Sequence, residues 1–484
     1  MKTFRNITLS LSIIIGCFLT VNAQWVSPGN GTVYTMSELV NVTNGVVTFD
    51  ASNYHIHGDL TFSTNDTWKI DDGFTKVFVE DALITIYGSM ICENTNRVSI
   101  MGDPSFSMRF ENATNCHVKK MYFSDGAGIQ LIESGVNFYD VKFVYFTIRY
   151  CHSVIDIFNC NPVIENCYFL LNEGAAISSP ANGQSSPRIL NCEFDSNVNG
   201  VNMPQINLGP GARDTIYIVG NLVDGTYASF HTGGISIADL LGVGETKILL
   251  KDNTIKNNRY GYNQQGYCLS SIITGNIITD NNHEDNPMNG GSGISIYGLD
   301  DNNNAFIREN VITGNLWGIT AINIFNINLG TDDDWGENRI YNNENSGKVY
   351  DLYNNSTYDI KAVGNDWGTT SEQKIEDHIV HQYDDPSLGW VNFVPFVGYD
   401  AVNEAETTVF EVSPNPVDNG SFSLILDEAT PSEMVIYNLI GQKIMSQSIE
   451  NKVNTIYVTS LESGIYFVEV KNAFSKSVKK IVVK

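Results

Sequence analysis

A two-part phrase recurs through residues 115–345 and constrains the fold more than any other feature of the chain. Its first part is a short apolar stretch that closes on an aromatic residue or isoleucine, and Phe123, Phe146 and Phe169 follow one another at a step of 23 residues. Its second part is a turn rich in asparagine, followed by glycine and a short alternating strand such as residues 293–296. A unit this short buries its apolar face only against copies of itself, so the phrase predicts a repeat architecture.

The composition of the phrase selects the kind of repeat. Short strands rich in β-branched residues, separated by Asn and Gly turns, fit one coil of a parallel β-helix. A propeller has longer blades of four strands, and a leucine-rich repeat has regular leucine and helix signals. Over roughly residues 50–350 the phrase resembles the right-handed β-helix repeats of pectate-lyase-like proteins, a resemblance of fold rather than function. We therefore predict an all-β chain, with a right-handed single-stranded parallel β-helix followed by a small C-terminal β-sandwich.

Stacked coils place equivalent side chains directly above one another. Asparagine recurs at one place in the phrase, and stacked amides can hydrogen-bond along a column and satisfy the backbone at the bend. Cys167 and Cys192 would stack in the same way, so we interpret these residues as structural rather than as metal ligands. The asparagines of the predicted column are Asn166, Asn191, Asn253, Asn276, Asn310 and Asn338.

The beginning of the chain predicts export. A basic start, an apolar run over residues 9–21 and a small residue at Ala23 are the three parts of a secretory signal peptide, here residues 1–23. The apolar run is short for a membrane-spanning helix, so we predict a mature protein that begins near Gln24 and has no transmembrane segment. Residues 24–398 would form the β-helix with a cap at each end.

The C-terminal segment carries short strands at regular spacing with turn signals, which is typical of a small β-sandwich. Its phrases, at residues 413–416, 435–443, 461–468 and 479–484, resemble the type A sorting domain of the type IX (Por) secretion system of Bacteroidetes. This resemblance implies export by the type IX machinery, removal of the domain, and a secreted or outer-membrane cell-surface location. We predict a linker at residues 399–410 and the sorting domain at residues 411–484.

The charge of the chain excludes some partners. It has 28 lysines and arginines against 54 aspartates and glutamates, a formal net charge of −26, and the two end segments carry little of it. Such a surface repels nucleic acid, which binds basic footprints. It also repels acidic polysaccharides unless calcium or a local basic spot intervenes.

Inserted loops locate a candidate ligand site on the predicted β-helix. They occur between the apolar phrase and the glycine strand, as residues 224–233 and 281–292. The coil between them has no insertion, so the loops would flank a notch about 10 Å across. Loops that project from a rigid scaffold concentrate binding and catalytic residues.

The residue types of the notch fit chemistry on an extracellular glycan. A lyase or hydrolase needs a group that neutralises or deprotonates the sugar, calcium is held by carboxylates, and an indole stacks on a sugar ring. The catalytic candidates are Lys256, Arg259, His231 and His283, the substrate-binding candidates are Trp317 and Asn258, and the calcium ligands would be Glu284 and Asp285.

Family motifs do not decide between catalysis and binding. Polygalacturonase-like hydrolases combine paired aspartates with Gly-His-Gly on neighbouring coils, whereas this chain has Asp300-Asp301 without Gly-His-Gly. No Gly-x-Ser-x-Gly motif supports a serine hydrolase. Three hypotheses stay open: a polysaccharide lyase or glycoside hydrolase, a non-catalytic glycan-binding or adhesin-like surface protein, and a structural surface filament.

Overall fold

The structure, a computed structural model, divides the chain into two compact units, residues 1–397 and 398–484. The predicted signal peptide and nearly all of the predicted linker lie outside the described residues. The described residues are 24–50, 52–71, 76–148, 153–198, 202–284, 286–397, 410–426, 429, 431–439, 441–472 and 476–484.

The first unit is a parallel β-helix, and one of its walls is a parallel sheet of fourteen strands that we call the long sheet. Each strand comes from a different coil, and apolar residues such as Ile235 and Ile237 point into the core while Ser236 between them points out. The strands of the long sheet are Gln24–Val26, Asp59–Phe62, Ala82–Ile86, Phe106–Glu111, Gly128–Ile132, Ser153–Phe158, Ala175–Ser178, Pro204–Leu208, Gly233–Asp239, Tyr262–Gly266, Ser292–Gly298, Trp317–Ile322, Leu352–Asn355 and Ile379–Val380.

Two further walls complete each coil, and the long strands Ser89–Gly102 and Cys116–Ser124 run through both. The second wall also contains Val33–Tyr34, Thr67–Ile70, Val136–Tyr139, Val163–Glu165, Arg188–Leu190, Ile216–Val219, Thr246–Lys251, Leu269–Thr274, Asn304–Arg308, Asn326–Asn328, Ile360–Lys361 and Val391–Asn392. The third wall contains Val47–Asp50, Asn53–Ile56, Lys76–Val79, Lys142–Val144, Tyr168–Leu170, Glu193–Asp195, Leu222–Asp224, Thr254–Lys256, Ile277–Thr279, Val311–Thr313 and Arg339–Tyr341. A short hairpin joins Glu344–Asn345 to Lys348–Val349.

The core of the first unit confirms that apolar side chains of successive coils stack, but the predicted 23-residue step is wrong at one position, since Phe143 rather than Phe146 follows Phe123 in the register. Phe143, Phe169 and Phe194 occupy the same register on successive coils. Their rings stack face to face, with centroids 4.7 and 4.9 Å apart, and all three side chains are buried. Because each ring fills the space above the previous one, the coil closes around a continuous apolar interior.

A first ladder of buried polar side chains lies at the bend between the second and third walls. Each amide accepts a hydrogen bond from the backbone N–H of the previous member and donates to the next member, as Asn253 does to Asn276 at 2.9 Å. Asn253, Asn276 and Asn310 stack as predicted. The members are Cys167, Cys192, Asn221, Asn253, Asn276, Asn310, Asn338 and Asn365.

The prediction that Asn166 and Asn191 belong to this ladder is wrong by one residue. Both are exposed and have φ of 54° and 52°, so they form the left-handed turn before the ladder position. Cys167 and Cys192 occupy the ladder position itself, and the Cys167 N–H lies 3.4 Å from Cys192 Sγ. Burial raises the pKa of Cys167 well above its ordinary value, so a neutral thiol stands where later coils have an amide.

A second ladder lies at the bend between the third wall and the long sheet. It ends at Asp351, which is fully buried, accepts from Asn343 and lies 3.1 Å from His378 Nδ1. Burial raises the pKa of Asp351, while hydrogen bonds from His378 and Asn343 oppose that shift. The members are Asn172, Asn197, Gln205, Asn258, Asn281, Asn315, Asn343 and Asp351.

Helix α1, Met36–Val42, lies near the N-terminal end of the stack of coils. Thr35 and Glu38 form a capping box, and Met36 and Leu39 face the core. The exposed edge of the first coil is thereby covered, as expected for a repeat protein.

Helix α2, Glu372–His378, follows the last coils. Ser371 caps it, because the Ser371 hydroxyl accepts a hydrogen bond from the Lys374 N–H. Trp367 is buried, whereas Trp390 is 49% exposed. Neither helix, and no other helix among the described residues, is long and apolar enough to cross a bilayer.

The second unit contains two antiparallel sheets around an apolar core of its own, which includes Phe422, Ile436 and Val468. One sheet contains Phe410–Ser413, Ser421–Leu426 and Val453–Tyr457. The other contains Lys443–Ile449, Ser432–Asn438, Gly464–Lys471 and Lys476–Val483. The all-β fold class, with long parallel sheets followed by an antiparallel unit, is confirmed.

Candidate functional site

The loops of residues 224–233 and 281–292, which we call the loop rim, both bond to the short coil between them. The Arg259 N–H donates to the Thr232 carbonyl at 2.7 Å, and the Arg259 carbonyl accepts from the Gly291 N–H at 2.7 Å. The base of the notch is therefore a continuous hydrogen-bonded backbone, which fixes the position of side chains above it.

His231 and Glu284 connect the two loops of the rim. His231 Nδ1 lies 3.4 Å from Glu284 Oε2, and the side chains are 44% and 12% exposed. The Phe230 ring packs beside the imidazole at 4.0 Å between centroids. The structure thus brings a predicted catalytic residue together with a predicted calcium ligand, while His283 lies half-buried on the same loop.

Arg259 is held by neighbours within the protein. Its Nη1 donates to Asn202 Oδ1 at 2.6 Å, and its guanidinium lies 5.1 Å from the Tyr260 ring centroid. A Cβ at Gly290 would lie 2.9 Å from Arg259 Cγ, so only glycine leaves room for this side chain. Burial raises the pKa of Tyr260, and the nearby guanidinium opposes that rise.

Lys256 forms an ion pair on the adjoining wall, where its Nζ lies 3.0 Å from Asp224 Oδ2. Burial raises the pKa of Asp224, but hydrogen bonds from Thr226, Asn257 and Lys256 outweigh it and hold the pKa below its usual value. Lys256 is therefore engaged within the protein by the carboxylate of Asp224.

Trp317 forms an aromatic platform with Tyr350 and Tyr353. Their ring centroids lie 4.6 and 5.6 Å from the indole, and the Trp317 Nε1–H donates to the Pro287 carbonyl of the loop rim at 3.1 Å. All three rings are partly exposed. An indole with its N–H bonded and its face supported by two tyrosines is preorganised to stack on a ligand ring.

The structure corrects the prediction for Asn258. This residue is fully buried in the second ladder, where it accepts from Gln205 and donates to Asn281. Its amide therefore stabilises the bend and cannot face a substrate.

The predicted calcium site is only partly within the described residues, because Asp285 lies outside them. Glu284 bonds to His231 instead of standing free. In the part of the chain that the structure describes, no three His, Cys, Asp or Glu side chains converge as metal ligands do.

Sequence reasoning missed a polar column on the outer face of the long sheet. Ser236, Asn263, Ser295 and Thr320 lie in register on four successive coils, and the next residue in that register is Tyr353. Asn263 and Ser295 are partly exposed, whereas Ser236 and Thr320 are nearly buried. The signal was a polar residue between two isoleucines, at Ser236 and Ser295. The column leads directly to the aromatic platform.

The loop rim also exposes apolar side chains that the sequence analysis did not single out. Tyr227, Phe230 and Met288 are 78%, 56% and 85% exposed. Large exposed apolar groups clustered on loops are typical of binding surfaces.

Comparison with known proteins identifies the export route and the kind of cargo. Residues 411–484 match the family described as secretion system C-terminal sorting domain. Residues 243–373 match a β-helix-like family described as protein of unknown function (DUF1565). A search of curated proteins found no match.

These matches define a cargo of the type IX secretion system of Bacteroidetes that carries a β-helix-type domain. The protein is secreted or located at the cell surface.

Proposed function

We propose that the β-helix unit binds a neutral polysaccharide outside the cell, through the aromatic platform and the polar column, without cleaving it. The observation that carries this proposal is the supported indole of Trp317, which contacts Tyr353 at the end of a row of hydroxyl and amide side chains. A sugar ring has apolar C–H faces and a hydroxyl edge, so it needs both kinds of surface.

The spacing of the polar column supports a chain-like ligand. Successive coils stack at about 4.8 Å, so the column repeats hydrogen-bonding groups at nearly the length of one sugar unit. The Asn263 amide already donates to Ser236 Oγ at 3.0 Å, which orients it along the sheet face. A flat row of such groups suits an extended glycan better than a small compact ligand.

Charge supports a neutral glycan over an acidic one. The chain carries a net charge of −26, and the cationic groups Lys256 and Arg259 are engaged by Asp224 and Asn202. A polyanionic glycan would meet a repulsive field that the guanidinium of Arg259, whose hydrogen-bond partner Asn202 is neutral, offsets only in part.

A lyase or hydrolase is the second candidate. It is favoured by the partly exposed His231–Glu284 pair, in which the carboxylate can orient the imidazole for proton transfer. Calcium held by Glu284 and Asp285 belongs to this candidate. The test is to incubate the secreted protein with neutral and acidic polysaccharides and measure new reducing or unsaturated ends, whose formation would replace the binding proposal.

Trp317→Ala should weaken binding of a neutral polysaccharide by about 2 kcal/mol, about thirtyfold in affinity, because an anchoring aromatic ring is lost. Affinity electrophoresis in gels containing the polysaccharide measures this. Trp335→Ala is the matched control, since Trp335 is 42% exposed but packs against Gly364 at another bend of the coil. Equal retardation of both folded variants and the parent would place the ligand elsewhere.

A further inference from the structure

A second concavity lies on the outer face of the long sheet, on coils near the N-terminal end. It has a volume of about 290 Å³, and we call it the N-terminal pocket. Its floor is formed by Ser107 and Gly128, which follow Leu83 in the same register on the next two coils. Because these two residues are small, they leave a space that larger side chains would fill. The lining side chains include Asp59, Asp81, Leu83, Ser107, Arg109 and Gln130.

Arg109 supplies the hydrogen-bond donors of the pocket. Its Nη2 lies 2.9 Å from Glu111 Oε2, and its side chain is 39% exposed. Its Nε is buried and cannot be reached from the pocket, so the terminal nitrogens of the guanidinium are the donors for a ligand hydroxyl.

The remaining lining groups define the rest of the ligand. Asp59 accepts from the Leu83 N–H at 2.8 Å through Oδ1, and the second carboxylate oxygen is an acceptor for ligand hydroxyl or ammonium groups. Leu83 is 40% exposed and offers an apolar wall. Asp59, Asp81 and Glu111 outnumber the single guanidinium, so the local charge repels anions.

We propose that the N-terminal pocket binds one hydroxyl-rich ring of monosaccharide size that is uncharged or carries an ammonium group. A terminal N–H of the Arg109 guanidinium donates to a ring hydroxyl, the aspartates accept from hydroxyl or ammonium groups, and Leu83 packs on the C–H face. The pocket shares no residue with the loop rim, the aromatic platform or the four residues of the polar column, and the inference goes beyond the proposed function. Arg109 and Gln130 occupy the register that leads along the long sheet to that column.

Saturation-transfer NMR with glucose, glucosamine and glucuronate tests the proposal on the secreted protein. The Trp317→Ala variant is the background, so that binding at the aromatic platform does not contribute. We expect signals from glucose and stronger ones from glucosamine, and none from glucuronate. Absence of signal from both glucose and glucosamine, or a glucuronate signal as strong as theirs, would overturn the proposal.

Ser107→Tyr should fill the pocket and abolish the signals. Ser99→Tyr, on an outward position of a different wall, is the matched control and should keep them. If Ser107→Tyr fails to fold, Arg109→Met removes the guanidinium donors and should weaken glucose binding about tenfold. Unchanged binding in the folded pocket variant would contradict the assignment.

Discussion

Replacing Asn276 by alanine should destabilise the β-helix by about 3–5 kcal/mol, because several buried polar groups lose their partners at once. The Asn276 amide donates to Leu250 O and Asn310 Oδ1 and accepts from the N–H and amide of Asn253. All of these groups lie in the interior, where water cannot replace the lost hydrogen bonds. Denaturant unfolding of the secreted protein, followed by circular dichroism, measures the loss.

Two variants serve as controls for this prediction. Asn282→Ala removes an exposed amide that donates to Gly314 O and should cost little. Asn276→Cys should fall between the parent and the alanine variant, because Cys167 and Cys192 hold the same ladder position with a thiol. If Asn276→Ala unfolds at the same denaturant concentration as Asn282→Ala, the ladder does not stabilise the coil.

Deleting residues 411–484 should abolish delivery of the protein to the cell surface or the medium and leave it in the periplasm. The reason is that the sorting domain is the part of the chain that the type IX machinery recognises. Immunoblots of the medium, the surface fraction and the periplasm of the bacterial host measure the distribution.

A smaller deletion tests whether the folded sandwich is required. The strand Lys476–Val483 pairs along its whole length with Gly464–Lys471 and buries Ile481, so its removal should block export as completely. Lys443→Ala removes only an exposed ion pair with Glu433, which contributes little to stability, and should be exported normally. Normal export of the chain without residues 411–484 would contradict the assigned route.

The fold was largely predictable because a stacked repeat records its geometry in the sequence. An apolar position that recurs once in each coil lies above its predecessor, as the Phe143, Phe169 and Phe194 stack shows, although its steps are 26 and 25 residues rather than the predicted 23. The error at Asn166 and Asn191 has a physical cause. Asparagine is favoured both in a left-handed turn and in an amide ladder, and these two positions are adjacent in the chain.

The candidate site was predictable only in its location. Inserted loops mark where a coil departs from the repeat. The two insertions in the sequence therefore predicted that the loop rim lies beside the short coil that contains Arg259. The partners could not be predicted, since Asn202 lies 57 residues from Arg259 and Trp317 bonds to Pro287 of an irregular loop. Side chains alternate between inward and outward within a strand, but this alternation does not extend into a turn. Asn258 lies at a turn, and its side chain was therefore wrongly predicted to face the surface.

Hydrogen exchange of the secreted protein, with and without a saturating neutral polysaccharide, tests the central claim most directly. We predict slower exchange in residues 281–292 and in the strands Ser292–Gly298 and Trp317–Ile322, because a glycan on the aromatic platform and the polar column excludes water from these segments. Exchange in the strand Ser432–Asn438 of the second unit should stay the same. Protection confined to the second and third walls or to the second unit, with none at Trp317–Ile322, would contradict the account.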